Sequence, residues 1–308
     1  MKAVLAVVER VGGLAVVFVG GTFVIYVMVF ARPGARPGRP AGTGPQRRGR
    51  PRPAPGSPPA EPLWQQYTRY IGGLSRGDVG TAFPGQSVAG QMASRWPVTV
   101  TLALSAWLLE IVVGIGLGVV SALKRGTLVD RTILGGTIVA SAIPVFVVGV
   151  TLQLVFAVRL DWFPVAGVTT GWPTAYVLPA IVIALFGLAS VSRLTRASVL
   201  ENLSSDYVRT ARAKGLTPRR VIGVHVMRNS LIPTATFLAT DLGYLLGGTV
   251  IIEGIFNLPG VGNLLFGAIR SHEGATVVGI STALILVFLV TSLLVDAIHA
   301  LLDPRVRR

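Results

Sequence analysis

Two acidic residues stand alone inside long apolar runs. Glu110 is the one charge in Val98–Leu123, and Asp241 the one charge in Leu231–Ile252. An ionisable side chain at such a position is costly to keep, so each is a candidate for handling a cation or a polar cargo. The competing expectation is structural: pairing with a hydroxyl or amide on a neighbouring helix, such as Gln153. Asp296, at the edge of another apolar run, is expected to be structural. Few other residues offer chemistry. The chain has no cysteine, which removes disulfides and thiolate chemistry. Its three histidines, His225, His272 and His299, do not cluster, and there is no His-Glu-x-x-His zinc motif. The phosphate-cradling pattern Gly-x-x-x-x-Gly-Lys-Ser/Thr is also missing. The sequence therefore reads as a non-enzyme with no metal site and no bound cofactor.

A second chemical feature is a basic, polar island from Asp206 to Arg220, set between apolar runs. Asp206 is expected to cap a helix from Tyr207 to about Lys214. Arg209, Arg212 and Lys214 favour that helix's C-terminal end, and Gly215 is expected to end it in a left-handed conformation. Thr217 then caps a second helix with Pro218 at its first position. The small residues Ala211 and Ala213, flanking Arg212, would let the first helix sit in a groove on a partner. The alternative is a solvated loop helix that only records topology. A DNA-reading helix-turn-helix is excluded by its tether between membrane spans.

The elements that carry these residues follow from composition. Only 13% of residues are charged, against about 25% in soluble domains. The formal charge of +15 flanks apolar runs rather than forming a solvated basic domain, which excludes nucleic acid as partner. A membrane-crossing helix needs about 17–25 apolar residues. Six stretches qualify: Val11–Phe30, Val98–Leu123, Thr132–Val158, Thr174–Ser192, Leu231–Ile252 and Ala275–Val295. The fold class is an all-α polytopic membrane protein. The first run is longer than a signal-peptide core and is expected to stay as an uncleaved span. Ile255–Ile269 is short and holds Pro259, Gly260 and Gly262, and is expected to be re-entrant or interfacial. Pro144, Pro179 and Pro233 are expected to kink their spans.

Lys and Arg gather before the first span, between the second and third, between the fourth and fifth (193–230), and after the last. By the positive-inside rule both termini are cytoplasmic. The chain divides into 1–30, an external loop 31–97, and a five-helix core 98–308. The Pro- and Arg-rich stretch 32–61 conflicts with the charge rule, but long loops translocate largely regardless of charge. It cannot bury a core, so it is expected to be disordered, and it could contact anionic lipid.

With these residues in view, Tyr207-Val208-Arg209-Thr210-Ala211-Arg212-Ala213-Lys214-Gly215-Leu216, followed by Arg228-Asn229-Ser230-Leu231-Ile232-Pro233, resembles the cytoplasmic signature loop of ABC importer permeases. Specifically, it resembles the first, B-type permease of dipeptide/oligopeptide importers. Pro62-Leu63-Trp64-Gln65-Gln66-Tyr67, Gly77-Asp78-Val79-Gly80, Arg95-Trp96-Pro97-Val98-Thr99-Val100-Thr101-Leu102, Trp162-Phe163-Pro164-Val165-Ala166-Gly167, Glu253-Gly254-Ile255-Phe256-Asn257-Leu258-Pro259-Gly260-Val261-Gly262 and Leu301-Leu302-Asp303-Pro304-Arg305 are similar to that family's other segments, in order. The stretch 32–61 departs from it. The resemblance implies a type I importer fold in a bacterial cytoplasmic membrane and a second homologous permease as heterodimer partner. It also implies two ABC ATPases that bind the ATP and Mg, and an extracytoplasmic substrate-binding protein. Asp206, Tyr207, Arg209, Thr210, Ala211, Arg212, Ala213, Lys214, Gly215 and Leu216 would then form the contact with an ATPase. Glu110, Gln153 and Asp241 would line a path for di- or oligopeptides, passing the peptide amine or a basic side chain. Nickel chelates, glutathione or haem are alternative cargoes on a similar scaffold.

Overall fold

The computed structural model describes residues 2–31, 62–82 and 86–302. The stretch 32–61 expected to be disordered lies outside the described residues, as do Asp303-Pro304-Arg305. The described chain is helical apart from loops and one two-stranded ribbon. The ribbon pairs β1 (Thr81–Ala82) with β2 (Gln86–Ser87) antiparallel.

Among the described residues four helices are long and apolar enough to cross a membrane. They are Gly12–Phe30 within α1 (Lys2–Phe30); Val88–Leu123; α7 (Thr174–Leu203); and Gly274–Val295 within α12 (Gly274–Leu302). Val88–Leu123 is one continuous rod made of α3 (Val88–Leu109), a π-helical turn (Glu110–Gly114) and α4 (Ile115–Leu123). Two further apolar pairs are bent, and counting each as one span gives six. One runs from Pro218 to Ile255 and turns by 47° between Gly247 and Thr249, within α10 (Met227–Ile255). The bend falls at the Gly247-Gly248 pair, where missing side chains leave the helix easiest to deform. A short apolar helix, α11 (Val261–Arg270), lies where the re-entrant or interfacial segment was expected, and it is too short to span.

The third span differs most from a simple helix. Thr132–Val158 reads as one run, yet the chain forms α5 (Leu128–Ala142) and α6 (Val145–Leu152), which continues as a π-helical turn (Gln153–Arg159). The two halves diverge by 102°. Pro144 disfavours the helical conformation at the residue before it, and Ile143 is extended at φ −88°, ψ 129°. Pro179 and Pro233, by contrast, are carried inside α7 and α10.

The chain resolves into two compact units. Met1–Pro97 and Gly260–Leu289 form one; Val98–Pro259 and Val290–Arg308 form the other, so Gly260–Leu289 groups with the N-terminal part rather than with the rest of 98–308. In the first unit, α2 (Leu63–Leu74) packs Tyr67 against Tyr26, Phe30 and Val278. Tyr67 Oη bonds with Thr22 Oγ1 at 2.8 Å and donates to the Val19 carbonyl at 3.0 Å. Tyr70 Oη donates to Thr282 Oγ1 at 2.8 Å. In the second unit, α7 is the hub: 61% of its membrane-length window is buried, against 28% for Val88–Leu123. Its core joins Leu102, Ala103 and Ala106 of α3 to Leu178, Val182 and Ile183 of α7, and to Leu245, Ile252 and Phe256 from α10 and its C-terminal end.

Candidate functional site

Glu110 opens the π-helical turn in the middle of its rod and is fully buried. Such single-turn π segments often sit at functional positions. Its carboxyl lies directly over Gly187 of α7, where an added Cβ would meet Oε1 at 2.2 Å and Oε2 at 2.6 Å. Only glycine leaves room for it. Asp241 of α10 faces the same carboxyl. The two helices are tied three residues away from each acid, where the Trp107 indole N–H donates to the Leu238 carbonyl at 2.9 Å. Both Glu110 oxygens and Asp241 Oδ2 are buried, and among the described residues no group outside the pair bonds them. Two ionised carboxyls facing each other in an apolar interior repel, so the pair needs a proton or another cation between them.

The pair lines a cavity of about 470 Å³, together with Ser141, Ile143 and Pro144 from the break in the third span, Phe186 of α7 and Tyr244 of α10. The 102° bend thus places a stretch of irregular backbone beside the two acids. Of the three residues expected to line a path, the structure brings Glu110 and Asp241 together and leaves Gln153 out. Gln153 Nε2 donates to the Val165 carbonyl at 2.8 Å and the Ile255 carbonyl at 3.1 Å. Its amide pins the π turn it opens to the loop after the third span and to the end of α10. It is not the partner of either acid.

The basic island folds as the caps suggest, with one shift. Helix α8 (Asp206–Ala213) begins one residue early: Ser205, at φ −72° and ψ 153°, holds the N-cap position, and Asp206 is the first helical residue. Ser205 does not cap with its side chain, because its Oγ donates to the Asn202 carbonyl at 2.6 Å. The Asp206 carboxylate instead accepts from Arg209 on the exposed surface. Gly215 takes φ +77°, a left-handed value that favours glycine, and stops the helix. Pro218 takes the first position of the short α9 (Pro218–Arg220) as expected, and Thr217 holds the N-cap position without a side-chain capping bond. A π-helical turn, Val221–Val226, leads into α10.

The faces of α8 differ sharply. Val208 and Ala211 are buried against Ala122 of α4, Val199 of α7, and Val221 and Val226, with Leu216 half-buried beside them. Asp206, Tyr207, Arg209, Thr210, Arg212, Ala213, Lys214 and Gly215 are exposed. Of the two small residues expected to fit a partner's groove, Ala213 is available and Ala211 supports the helix from within its own chain. Arg219 and Arg220 extend the exposed positive surface.

Sequence reasoning missed the residue that braces this region. Asp130, in the first turn of α5, is 3% exposed. It accepts from Arg196 Nε at 2.8 Å and Arg196 Nη2 at 2.9 Å, from Ser121 Oγ at 2.6 Å and from the Gly126 N–H at 2.9 Å. Arg193 and Arg196 read as loop charges, but α7 runs on to Leu203 and carries both. Arg193 reaches the Thr137 carbonyl and Ser141 Oγ. Glu253 was likewise passed over; it is fully buried and accepts from Thr99 Oγ1 at 2.8 Å. One catalytic spacing does occur: Gly73-Leu74-Ser75-Arg76-Gly77 matches Gly-x-Ser-x-Gly. A nucleophile elbow joins a strand to a helix. Ser75 instead closes α2, and its Oγ donates to the Gly72 carbonyl at 2.8 Å. Among the described residues no three His, Cys, Asp or Glu side chains gather as a metal site.

Comparison with known proteins agrees with this architecture. Residues 114–308 match the family described as binding-protein-dependent transport system inner membrane component. The chain is 37% identical over 275 residues to a di/tripeptide transport system permease protein of Pseudomonas aeruginosa, covering 80% of this chain and 82% of the relative. It is 33% identical over 249 residues to an oligopeptide transport system permease protein of Salmonella typhimurium, covering 80% and 81%. Among solved structures, an inward-facing methionine ABC transporter matches with a TM-score of 0.52 at 15% identity, covering 68% of this chain and 96% of the other. An amino acid ABC transporter solved with histidines matches with a TM-score of 0.52 at 14% identity, covering 69% and 94%.

Proposed function

The chain belongs to the binding-protein-dependent transport system inner membrane components, and from that premise we propose that it forms half of the translocation path of a peptide importer. It is a multi-pass, non-catalytic permease subunit of an ABC transporter, so ATP is hydrolysed on partner ATPases and a binding protein delivers the cargo. The relatives are named for di-, tri- and oligopeptides, which favours peptide over nickel chelates, glutathione or haem. In the finer reading the second half of the path comes from a homologous permease. Two ATPases carry the ATP and Mg, and this chain binds no cofactor of its own. Both termini lie on the cytoplasmic side, where the positive charge gathers.

The observation that carries the coupling role is the two-faced α8. Its buried side, Val208 and Ala211, is fixed to the ends of α4 and α7. Its exposed side is a compact basic surface outside the apolar helices. A partner gripping Arg209, Arg212, Ala213 and Lys214 pulls on packed helices rather than on a loose loop. ATP-driven closure of the ATPases would then rock the spans between inward- and outward-open states, a rigid-body change. Gly215→Pro tests this reading, since proline cannot adopt φ +77°; Ala213→Trp tests it without touching the backbone. Both are expected to leave the complex's basal ATP hydrolysis in place and abolish peptide uptake in proteoliposomes. Normal ATP-dependent uptake in both variants would refute the assignment.

A further inference from the structure

We propose that Glu110 and Asp241 form a binding site for an ammonium group of the cargo, a step that rests on the peptide-path reading above. Three oxygens on the two carboxyls, Glu110 Oε1 and Oε2 and Asp241 Oδ2, are buried with no partner outside the pair among the described residues, and without a ligand the carboxyls bond each other through a shared proton. An ammonium group carries three N–H donors and no acceptor, so a single one can answer all three.

The surroundings select the class of ligand. Among the described residues no Lys, Arg or His lines the cavity; Arg193 touches its wall only through Ser141 Oγ. A divalent metal ion takes about six or more oxygen ligands, whereas no third acidic or histidine side chain joins the pair among the described residues. The remaining wall is largely apolar, with Ile143, Phe186 and Tyr244 beside the acids. The arrangement suits a compact charge attached to a peptide. The site sits where the third span is broken, so cargo would meet it beside irregular backbone rather than a closed helix wall. The empty pair is held by its shared proton; an ammonium group takes that proton's place as the proton passes to water, so one monovalent cation exchanges for another and the charge of the site does not change. Both a peptide's N-terminus and a lysine side chain present this chemistry.

The test is protection of Glu110 from dicyclohexylcarbodiimide, which modifies carboxyls in apolar settings. The assembled importer in lipid nanodiscs is labelled and the modified fragment quantified by mass spectrometry, with Glu110→Gln confirming its origin. Methylammonium is expected to halve the labelling rate at about a tenth of the tetramethylammonium concentration that does so, the factor that one hydrogen bond to a charged group supports. Tetramethylammonium, with the same charge and no N–H, is expected to protect little. Trialanine protecting while N-acetyl-trialanine does not assigns the site to the N-terminus. Protection by N-acetyl-Ala-Lys-Ala alone assigns it to the lysine side chain. Failure to label Glu110, or equal protection by methylammonium and tetramethylammonium, or by free and acetylated trialanine together, overturns the proposal. Peptide uptake by the same wild-type complex is read in parallel. Its failure would count against the peptide reading, while the methylammonium arm still judges the carboxyl pair.

Discussion

Replacing Asp130 with asparagine keeps the side chain's shape and removes its charge, at a carboxylate that accepts four hydrogen bonds from Arg196, Ser121 and Gly126. The substituted amide turns an NH2 toward one of these donors, so at least one bond becomes a donor facing a donor. Breaking a buried ion pair by removing one partner costs about 3–5 kcal/mol. Asp130 is 4% exposed at its side chain and Arg196 is 21% exposed, so water can reach the guanidinium left behind. That argues for the low end, about 3 kcal/mol. The assay is a double-mutant cycle on the purified complex with Asp130→Asn, Arg196→Gln and the pair, following denaturant-induced loss of structure. The pair is expected to be less damaged than the sum of the singles by well over 0.5 kcal/mol, roughly the limit for independent sites. Additive effects within that limit would show that the bidentate geometry does no energetic work and that α5 and α7 are held by apolar packing alone.

Two further perturbations follow from close contacts. Gly187→Ala places a methyl 2.2–2.6 Å from the Glu110 carboxyl and must displace it; peptide uptake is expected to fall about tenfold or more with the complex still assembled, as the acid moves away from Asp241, and unchanged uptake would show that Glu110's position does not matter. Tyr67→Phe removes a hydroxyl that bonds Thr22 and Val19 in the N-terminal unit; it is expected to cost about 1 kcal/mol of stability with uptake unchanged, measured by thermal denaturation of the complex.

The parts visible in sequence were those that local chemistry dictates. Gly215 must be left-handed at a helix end and Pro218 must open the next helix, and both hold because each depends on only a few neighbours, although the hydroxyl of Thr217 makes no capping bond. Membrane-length runs were equally legible, since hydrocarbon thickness sets their length. What sequence could not supply was direction. Ala211 and Ala213 look alike in the chain, yet a two-residue step on a helix turns one inward onto Val199 and the other outward. Asp206 and Ser205 are both good N-caps, and a one-residue choice is below what propensity can decide. Asp130 was overlooked because its partner is 66 residues away, and Arg196 was hidden by being a textually ordinary loop charge. Gln153 looked like an interior hydrogen-bonding group and is one, but its partners are main-chain carbonyls that carry no sequence signal.

The acid pair and the basic helix stand at opposite ends of one packed seam, and this gives both a common mechanical meaning. From Glu110 to Ala122 the chain advances about 18 Å at 1.5 Å per residue. Along that length it is set against α7 by contacts that leave no slack. Glu110 lies over Gly187; a Cβ on Gly114 would come within 2.8 Å of Val191, and one on Gly118 within 2.6 Å of the Ser192 carbonyl and Thr195. Ser121 and Arg196 then share Asp130, and Ala122 packs with Val199 in the cluster that holds Val208 and Ala211 of α8. Interiors packed this closely have low compressibility and pass strain along rather than absorbing it. A displacement imposed on α8 must therefore either break the seam or carry α4 and α7 with it. Asp241 sits on α10, which is bonded to the same seam where Thr234 Oγ1 meets Thr195 Oγ1 at 3.1 Å, where Ser230 Oγ donates to the Ser198 carbonyl at 3.3 Å and where Trp107 Nε1 donates to the Leu238 carbonyl at 2.9 Å, so the second course carries α10 as well. A push on α8 therefore reaches both carboxyls through packed helices, Glu110 by way of α4 and Asp241 by way of α7 and α10.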